Sequence, residues 1–384
     1  MDYRDDGFFM PPRGMGGEVA HKIIHCNVWG DIQVDALAMA IVDTWAFQRL
    51  HYIHQTGILY KIFPTATTSR FEHALGSYCV AKKFLHKLWV TSPSLFSPHT
   101  PFFLLPIAAM CRQLGCGPFS GLFDRFLQEH SVQNMDWMWM SPEGRSCAVL
   151  DVILDDVSFP YRVSPDHRLF IKSLLLPLRE EYQHPLVQPW FQFLVHDDSG
   201  GLDFPTMDSV LRDARALGLI PSFDLQRILE NTRIIDQKLC FCTRVEDDLE
   251  MFTATRLRLQ KTAYHHSRVR RFEDGVTAML NETLVENPRF RTGFLCIIKD
   301  HKDHKDHKDH IHSKNKVREF LEWTDTTFLG LWQASPAWRS LETRIQVDHE
   351  KEYSLPVHIH PSSSIQPPQR PRYWFHRKRP QEII

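Results

Sequence analysis

The 384-residue chain contains no run of about eighteen uncharged apolar residues, so the sequence offers no transmembrane helix and no membrane partner is expected. Charge of neither sign dominates: Lys and Arg number 45, Asp and Glu 46, for a formal net charge of -1. That balance excludes a strongly basic nucleic-acid coat. With 43% hydrophobic and 24% charged residues, the chain is neither disordered nor collagen-like, and it is long enough for one large domain or two modest ones. The opening MDYRDDGFFMPPRGMGG lacks the basic-then-apolar layout of a secretory signal. CxxC spacing is also lacking. Cys111/Cys116 and Cys240/Cys242 are spaced otherwise, and no second pair completes a zinc site around either. With Cys26, Cys79, Cys147 and Cys296 they read as core thiols in a reducing compartment, which places the protein inside the cell, in nucleus or cytoplasm.

Helical periodicity fills most of the chain to about residue 290. Leu37, Ile41, Val42, Trp45, Leu50 and Ile53 recur at three- and four-residue steps and predict a helix over 36–54. A second runs from about Ala74, and a third is expected from Pro118, with Phe119, Leu122, Phe123, Phe126 and Leu127 as its apolar stripe. Further helices are expected over 206–217 and over 248–269, the latter continuing toward Asn287, then over 317–331 and 337–347. KLCFCTR (238–244) alternates like a short strand, paired with Thr232–Asp236. The fold class that follows is mainly α, with minor β-hairpin elements.

The expected organisation is a flexible leader over 1–20, a domain over 21–298, a His/Lys/Asp-rich insertion over 299–314, a helical extension over 315–360 and a disordered basic tail over 361–384. The insertion carries DHKDHKDHKDH, which has no apolar face and reads as a solvated spacer. His301, His304, His307 and His310 give it weak zinc-binding capacity, without the supporting shell that tight sites use. The tail interleaves Arg370, Arg372, Arg377, Lys378 and Arg379 with Tyr373, Trp374 and Phe375. Such a mixture suits single-stranded nucleic acid, a nuclear-import signal or a protein partner.

Three local patterns stand in order: Arg70-Phe71-Glu72-His73; the stretch Cys111-Arg112-Gln113-Leu114-Gly115-Cys116-Gly117-Pro118-Phe119-Ser120; and Gly201-Leu202-Asp203-Phe204-Pro205, followed by Asp208, Arg212-Asp213 and Leu217-Gly218. Their order and spacing resemble the HD-domain phosphohydrolase superfamily, most closely its animal SAM-and-HD-domain deoxynucleoside triphosphate triphosphohydrolases. Asp43-Thr44, Phe47-Gln48-Arg49-Leu50, Ala263-Tyr264, His266 and Thr324-Asp325 extend the resemblance over roughly residues 22–345. It does not extend to a separate N-terminal SAM domain or to most of the C-terminal lobe. The fold it implies is an HD-domain helical bundle.

Enzymes of this kind hold a divalent metal (Fe, Mn, Zn or Mg) in a cage of two histidines and two aspartates, and the metal activates water. The resemblance places the first metal histidine at His73. The His-Asp pair falls on Arg112 and Gln113, and the last aspartate on Pro205. Catalytic histidines fall on Cys116 and Gly121, and a further one on Pro142. Cys116 as a nucleophile would need a neighbouring base, which the sequence does not supply. The nucleotide-holding positions survive better, as Gln55, Arg70, Asp213, Arg256, Tyr264 and His266, although a phosphate lysine becomes Thr206 and a sugar-stacking tyrosine Ser209. The family's regulatory guanine-nucleotide site matches at Lys22, Asp43, Gln48, Arg233 and Arg244 and departs at His51 and Glu246.

The resulting expectation is a catalytically degenerate relative without a resident metal, which binds dNTP or GTP or assembles with itself or an active relative. Arg112 either mimics the metal's charge beside Asp203 and grips phosphate through its fork, or pairs with a local acid and fills the cavity. Two alternatives stand beside this reading. One is an active metal-dependent dNTP triphosphohydrolase of the dGTPase kind, serving dNTP catabolism. The other is a nucleic-acid or protein interaction module using the Arg370–Arg379 tail.

Overall fold

The computed structural model describes residues 22–130, 137–176, 179–195, 202–298, 308–347 and 374–375. The leader over 1–20, the KDH repeat before Lys308 and most of the tail lie outside the described residues. A hairpin comes first: β1 (Lys22–Cys26) and β2 (Gly30–Val34) pair antiparallel, with Ile24 opposite Ile32. The helix expected over 36–54 is broken into α1 (Ala36–Val42), α2 (Trp45–Gln48) and a 3-10 turn over Arg49–Tyr52. Thr44 causes the break. Its hydroxyl donates to Ile41 O at 2.6 Å and accepts from Phe47 N at 3.4 Å, ending one helix and capping the next.

Ser69 opens α3 (Arg70–Thr91) with a capping box: its hydroxyl accepts from Glu72 N, and the Glu72 carboxylate accepts from Ser69 N at 2.9 Å. α3 lies against α4 (Leu104–Cys111) and, from the far side of the sequence, α10 (Phe204–Ala216). Between them come α5 (Gly121–Glu129), α6 (Trp137–Met140), α7 (Pro142–Leu154), α8 (Pro165–Leu175) and α9 (Gln192–Val195). The helix expected from Pro118 begins instead at Gly121, because Phe119 and Ser120 take φ of 57° and 55°, outside the helical region.

After α11 (Leu225–Glu230), β3 (Thr232–Ile235) and β4 (Lys238–Cys242) form the expected hairpin, with Ile234 opposite Leu239. The long helix expected from Asp248 is in fact α12 (Glu246–Leu259), one π turn over Gln260–Tyr264, and α13 (Ser267–Glu286). His266 divides them: its Nδ1 accepts from Arg268 N at 3.3 Å and caps α13. There follow α14 (Pro288–Ile298), α15 (Lys308–Leu321), α16 (Asp325–Trp332) and α17 (Pro336–Val347). α15 begins inside the segment expected to be a spacer. Its C-terminal end buries Val317, Phe320 and Leu321, and once that nucleus is fixed the helix extends back at little cost. The segment expected as disordered tail contributes β5 (Trp374–Phe375), parallel to β4 at Phe241–Cys242. Its backbone uses the edge that β4 leaves open.

Nearly all buried apolar side chains join one cluster, from Ile32 on β2 to Trp338 on α17. All eight cysteines are free thiols. Among the described residues no helix is long and apolar enough to cross a membrane.

Two fully buried arginines fix the backbone beside the cluster. Arg49 donates to Cys116 O at 3.0 Å and Trp323 O at 2.7 Å, and Arg145 donates to Gly115 O and Trp139 O, both at 2.8 Å, and to the Asp124 carboxylate. The 3-10 turn over Arg112–Gly115 is thereby clamped to α7. A side chain at Gly115 would collide with the carbonyl of Pro142.

Candidate functional site

A cavity of about 410 Å³ opens where the N-termini of α3, α5 and α10 meet the Arg112–Gly115 turn and the Tyr264–His265 corner. His73 stands on the first turns of α3, almost wholly buried at 4% exposure. Its Nδ1 lies 2.7 Å from Asp208 Oδ2 on α10. Arg212, one turn further along α10, donates to both Asp208 oxygens at 3.0 and 2.9 Å, and Trp29 Nε1 adds another donor. Burial alone would raise Asp208, but Arg212 and His73 together hold its carboxyl below the ordinary carboxylate range. Burial outweighs Asp208 at His73 and lowers the imidazole pKa. An ionised carboxylate only accepts, so Nδ1 carries the proton and Nε2 is left as an acceptor on a side chain lining the cavity.

Around His73 the cavity is lined by Arg112, Gln113, Pro205 and Gly121. Arg112 donates to Glu143 of α7 at 3.1 Å. Gln113 Oε1 accepts from Arg70 Nη1 at 2.9 Å. Pro205 occupies the first turn of α10, behind the cap in which Asp203 accepts from Thr206 N at 2.6 Å. Cys116 is buried outside the lining, and burial pushes its thiol pKa up against the opposing pull of Arg70. Pro142 serves as the first-turn proline of α7. Among the described residues, no three His, Cys, Asp or Glu side chains converge on a point that could hold a metal ion.

The opposite wall carries Gln55, Asp213 and Tyr264. Tyr264 Oη donates to Asp213 Oδ2 at 2.5 Å, and Gln55 Nε2 approaches the same oxygen at 3.4 Å. Asp213 Oδ1 and Gln55 Oε1 are buried without a hydrogen-bond partner. Burial pushes the Asp213 carboxyl up to about 6, against the Tyr264 hydrogen bond and the field of Arg70. The folded chain therefore binds this proton more tightly than the unfolded chain, and stability falls as pH rises from about 4 through 6. Asp213→Asn keeps an acceptor for Tyr264 and removes the charge. It is expected to stabilise the fold by about 1–3 kcal/mol at neutral pH and by little at pH ~4, as thermal melts at the two pH values would read.

Arg70 ties the two walls together. Besides Gln113, it donates to Ser120 Oγ at 2.9 Å and Gln55 O at 3.1 Å. Arg256 on α12 stands outside the lining, near enough to Tyr264 to oppose the rise that burial and Asp213 impose on that phenol. His266 is not on the cavity wall; it caps α13 and sits edge-on to Phe63, and its neighbour His265 lines the cavity instead. The positions matched to a regulatory site also lie outside it. Lys22 is on β1, Asp43 caps the end of α1, Gln48 is the last residue of α2, and Arg233 and Arg244 belong to β3 and the turn after β4. His51 stacks on Phe71 at 3.6 Å between ring centroids, and Glu246 opens α12.

Sequence reasoning assigned no role to Asp208, Ser120, Asp325 or His265. Asp325 Oδ1 accepts from Phe119 N at 2.6 Å and its Oδ2 from His54 N at 2.8 Å, with His54 Nδ1 also 2.8 Å away. Ser120 Oγ donates to His54 O at 2.6 Å. These bonds hold the left-handed Phe119–Ser120 corner at the cavity mouth. Their partners are too distant in sequence for a local pattern to reveal them. The i, i+4 spacing of Asp208 and Arg212 was the one available signal.

The mainly α domain with minor hairpins, with a cavity framed by the three ordered motifs, is consistent with the HD-domain bundle that those motifs resemble. Similarity to named proteins agrees. The chain is 30% identical over 245 residues to the deoxynucleoside triphosphate triphosphohydrolase SAMHD1 homolog of Dictyostelium discoideum, covering 64% of this chain and 46% of that protein. It is 31% identical over 265 residues to deoxynucleoside triphosphate triphosphohydrolase SAMHD1 of Bos taurus, covering 64% and 44%. An HD domain-containing protein of Acanthamoeba polyphaga mimivirus matches at 28% over 266 residues, 66% of this chain and 56% of that one. No family model matches. The chain is thus related to the HD-domain dNTP triphosphohydrolases and spans about half the length of the curated relatives it matches.

Proposed function

We propose that this chain is a catalytically degenerate HD-type relative that binds a nucleotide-like ligand without hydrolysing it, and that it acts by regulating or assembling with an active triphosphohydrolase. The observation that carries the reading is the side-chain set around His73: a guanidinium, an amide and a proline stand at the other three cage positions. The residues present do not fit a divalent metal. A lone imidazole holds no ion in dilute solution, and Arg112 adds a permanent positive charge to the same cavity wall. The orientation of His73 by Asp208 is the support a metal-binding histidine uses, retained without its companions. Arg112 pairs with the local acid Glu143, which favours the cavity-filling role for that cation over capture of phosphate.

The surviving nucleotide-side wall, where Gln55, Arg70, Asp213 and Tyr264 line the cavity, supports ligand binding. Eight free thiols agree with residence in nucleus or cytoplasm. Incubating the full chain with each dNTP and with Fe, Mn, Zn or Mg tests the reading. No inorganic triphosphate should appear under any combination. Its steady release, abolished by His73→Ala, would establish an active enzyme instead.

A further inference from the structure

β4 is buried along most of its length. Leu239, Cys240, Phe241 and Cys242 are all buried, and the Pro189–Phe191 turn packs beside them. On one edge β3 serves the backbone: Arg233 lies opposite Cys240, and Cys242 N donates to Asn231 O at 2.9 Å. Backbone groups alternate in direction along a strand, so those of Phe241 face the other edge. A buried peptide group left unpaired there is costly, and an open edge invites a strand from another chain. β5 answers both, because Trp374 and Phe375 run parallel to β4, opposite Phe241 and Cys242.

Two residues of parallel ladder are a weak attachment by themselves. Charge supplies a second. A strand parallel to β4 heads where β4 heads, toward the Thr243–Val245 turn and the start of α12. α12 opens on Glu246, Asp247 and Asp248, and Glu250 follows one turn after Glu246. Arg227 takes Asp248, whereas Glu246, Asp247 and Glu250 have no ion-pair partner among the described residues. Asp247 and Glu250 are exposed. The sequence that follows β5 is His376-Arg377-Lys378-Arg379. Arg244, in the turn before α12, sets one like charge against three carboxylates.

We propose that the β4 edge and the acidic start of α12 form one docking surface, and that its occupant is the chain's own tail, residues 369–380. Trp374 and Phe375 attach by backbone pairing, and Arg377, Lys378 and Arg379 by attraction to Glu246, Asp247 and Glu250. Strand addition takes its affinity from the main chain, so a short segment with few side-chain requirements suffices. The stretch 348–373 ties the tail to α17 and keeps it at high local concentration, which favours attachment in cis over a second copy. Docking withholds the basic and aromatic residues from other partners, single-stranded nucleic acid included, and closes an edge that would otherwise pair between chains.

Hydrogen exchange of the full chain tests this. The amides of Trp374 and Phe375 should exchange about tenfold more slowly than in the free peptide 366–384, and tryptic cleavage after Arg377 and Lys378 should slow to a similar extent. Phe375→Pro removes a backbone N–H from the tail strand and should abolish both protections. Asp247→Asn combined with Glu250→Gln should lower them about threefold, as should raised salt in the natural chain. Excess isotope-labelled peptide 366–384 should speed exchange of the chain's own tail, a reading that needs no variant to fold. Tail amides that exchange as fast as the free peptide, or protection that Phe375→Pro leaves intact, would overturn the proposal. Protection that appears only as protein concentration rises would overturn it too, by making the occupant a second copy.

Discussion

Asp325→Ala is expected to destabilise the protein by about 3–5 kcal/mol, the largest loss from any single carboxylate near the cavity. Asp325 is completely buried at the first turn of α16, and the backbone N–H groups of Phe119 and His54 both end on it. Truncation leaves those donors in a place water does not reach. It also releases the two consecutive left-handed residues, Phe119 and Ser120, each of which costs about 1–3 kcal/mol to hold. The restraints left include the stacking of Phe119 on Trp332 at 5.7 Å, the Ser120 hydroxyl and the bond from Ser120 N to Gly117 O at 3.0 Å. Asp325→Asn keeps one acceptor and should lose roughly half as much. Denaturant unfolding of the three proteins gives the ranking. Equal stability of Asp325→Ala and the natural chain would show that the corner does not depend on this carboxylate.

The second large effect is a gain. The combined change Arg112→His, Gln113→Asp, Cys116→His and Pro205→Asp should confer an equimolar transition ion that, on the proposed reading, the natural chain does not hold. His73 is already oriented for the task by Asp208, and the turn over Arg112–Gly115 is clamped to α7 through Arg145 and the close approach at Gly115. An aspartate at position 205 enters the first turn of α10, where a negative charge is favoured by the helix dipole. The change has a cost: Glu143 loses its partner and Arg70 its contact with Gln113, so lower thermal stability without metal is expected. Omitting Pro205→Asp should weaken retention of the ion. If the combined variant stays free of metal, the backbone has moved away from cage geometry. Metal without triphosphate release would direct attention to Thr206 and Gly121.

The fold class was legible because long helices with wide apolar stripes dominate the chain, and such patterns survive single-residue errors. Helix boundaries were less legible. The breaks at Thr44, His266 and Thr324 come with side chains that cap the helix that follows, Thr44 also bonding back to Ile41 O, and apolar spacing runs through them unchanged. The start of α5 was misplaced because Pro118 is a good first-turn residue, whereas Asp325, more than two hundred residues away, binds Phe119 N and fixes the chain in the left-handed region. At the site, sequence order brought His73, Arg112, Gln113, Pro205, Gln55, Arg70, Asp213 and Tyr264 to one cavity. It could not give the pairing of His73 with Asp208, of Arg112 with Glu143 or of Asp325 with His54, each of which depends on tertiary packing. The exchange of His266 for His265 on the wall has the same origin: capping α13 turns one imidazole away and leaves its neighbour facing the cavity.

The function proposed for this protein depends on the side chains beside His73 being unable to hold an ion, and elemental analysis tests that most directly. The full-length chain, produced with iron, manganese, zinc and magnesium all supplied and then desalted, should carry far less than an equimolar amount of any of them. An equimolar ion that survives desalting and disappears in His73→Ala would contradict the account.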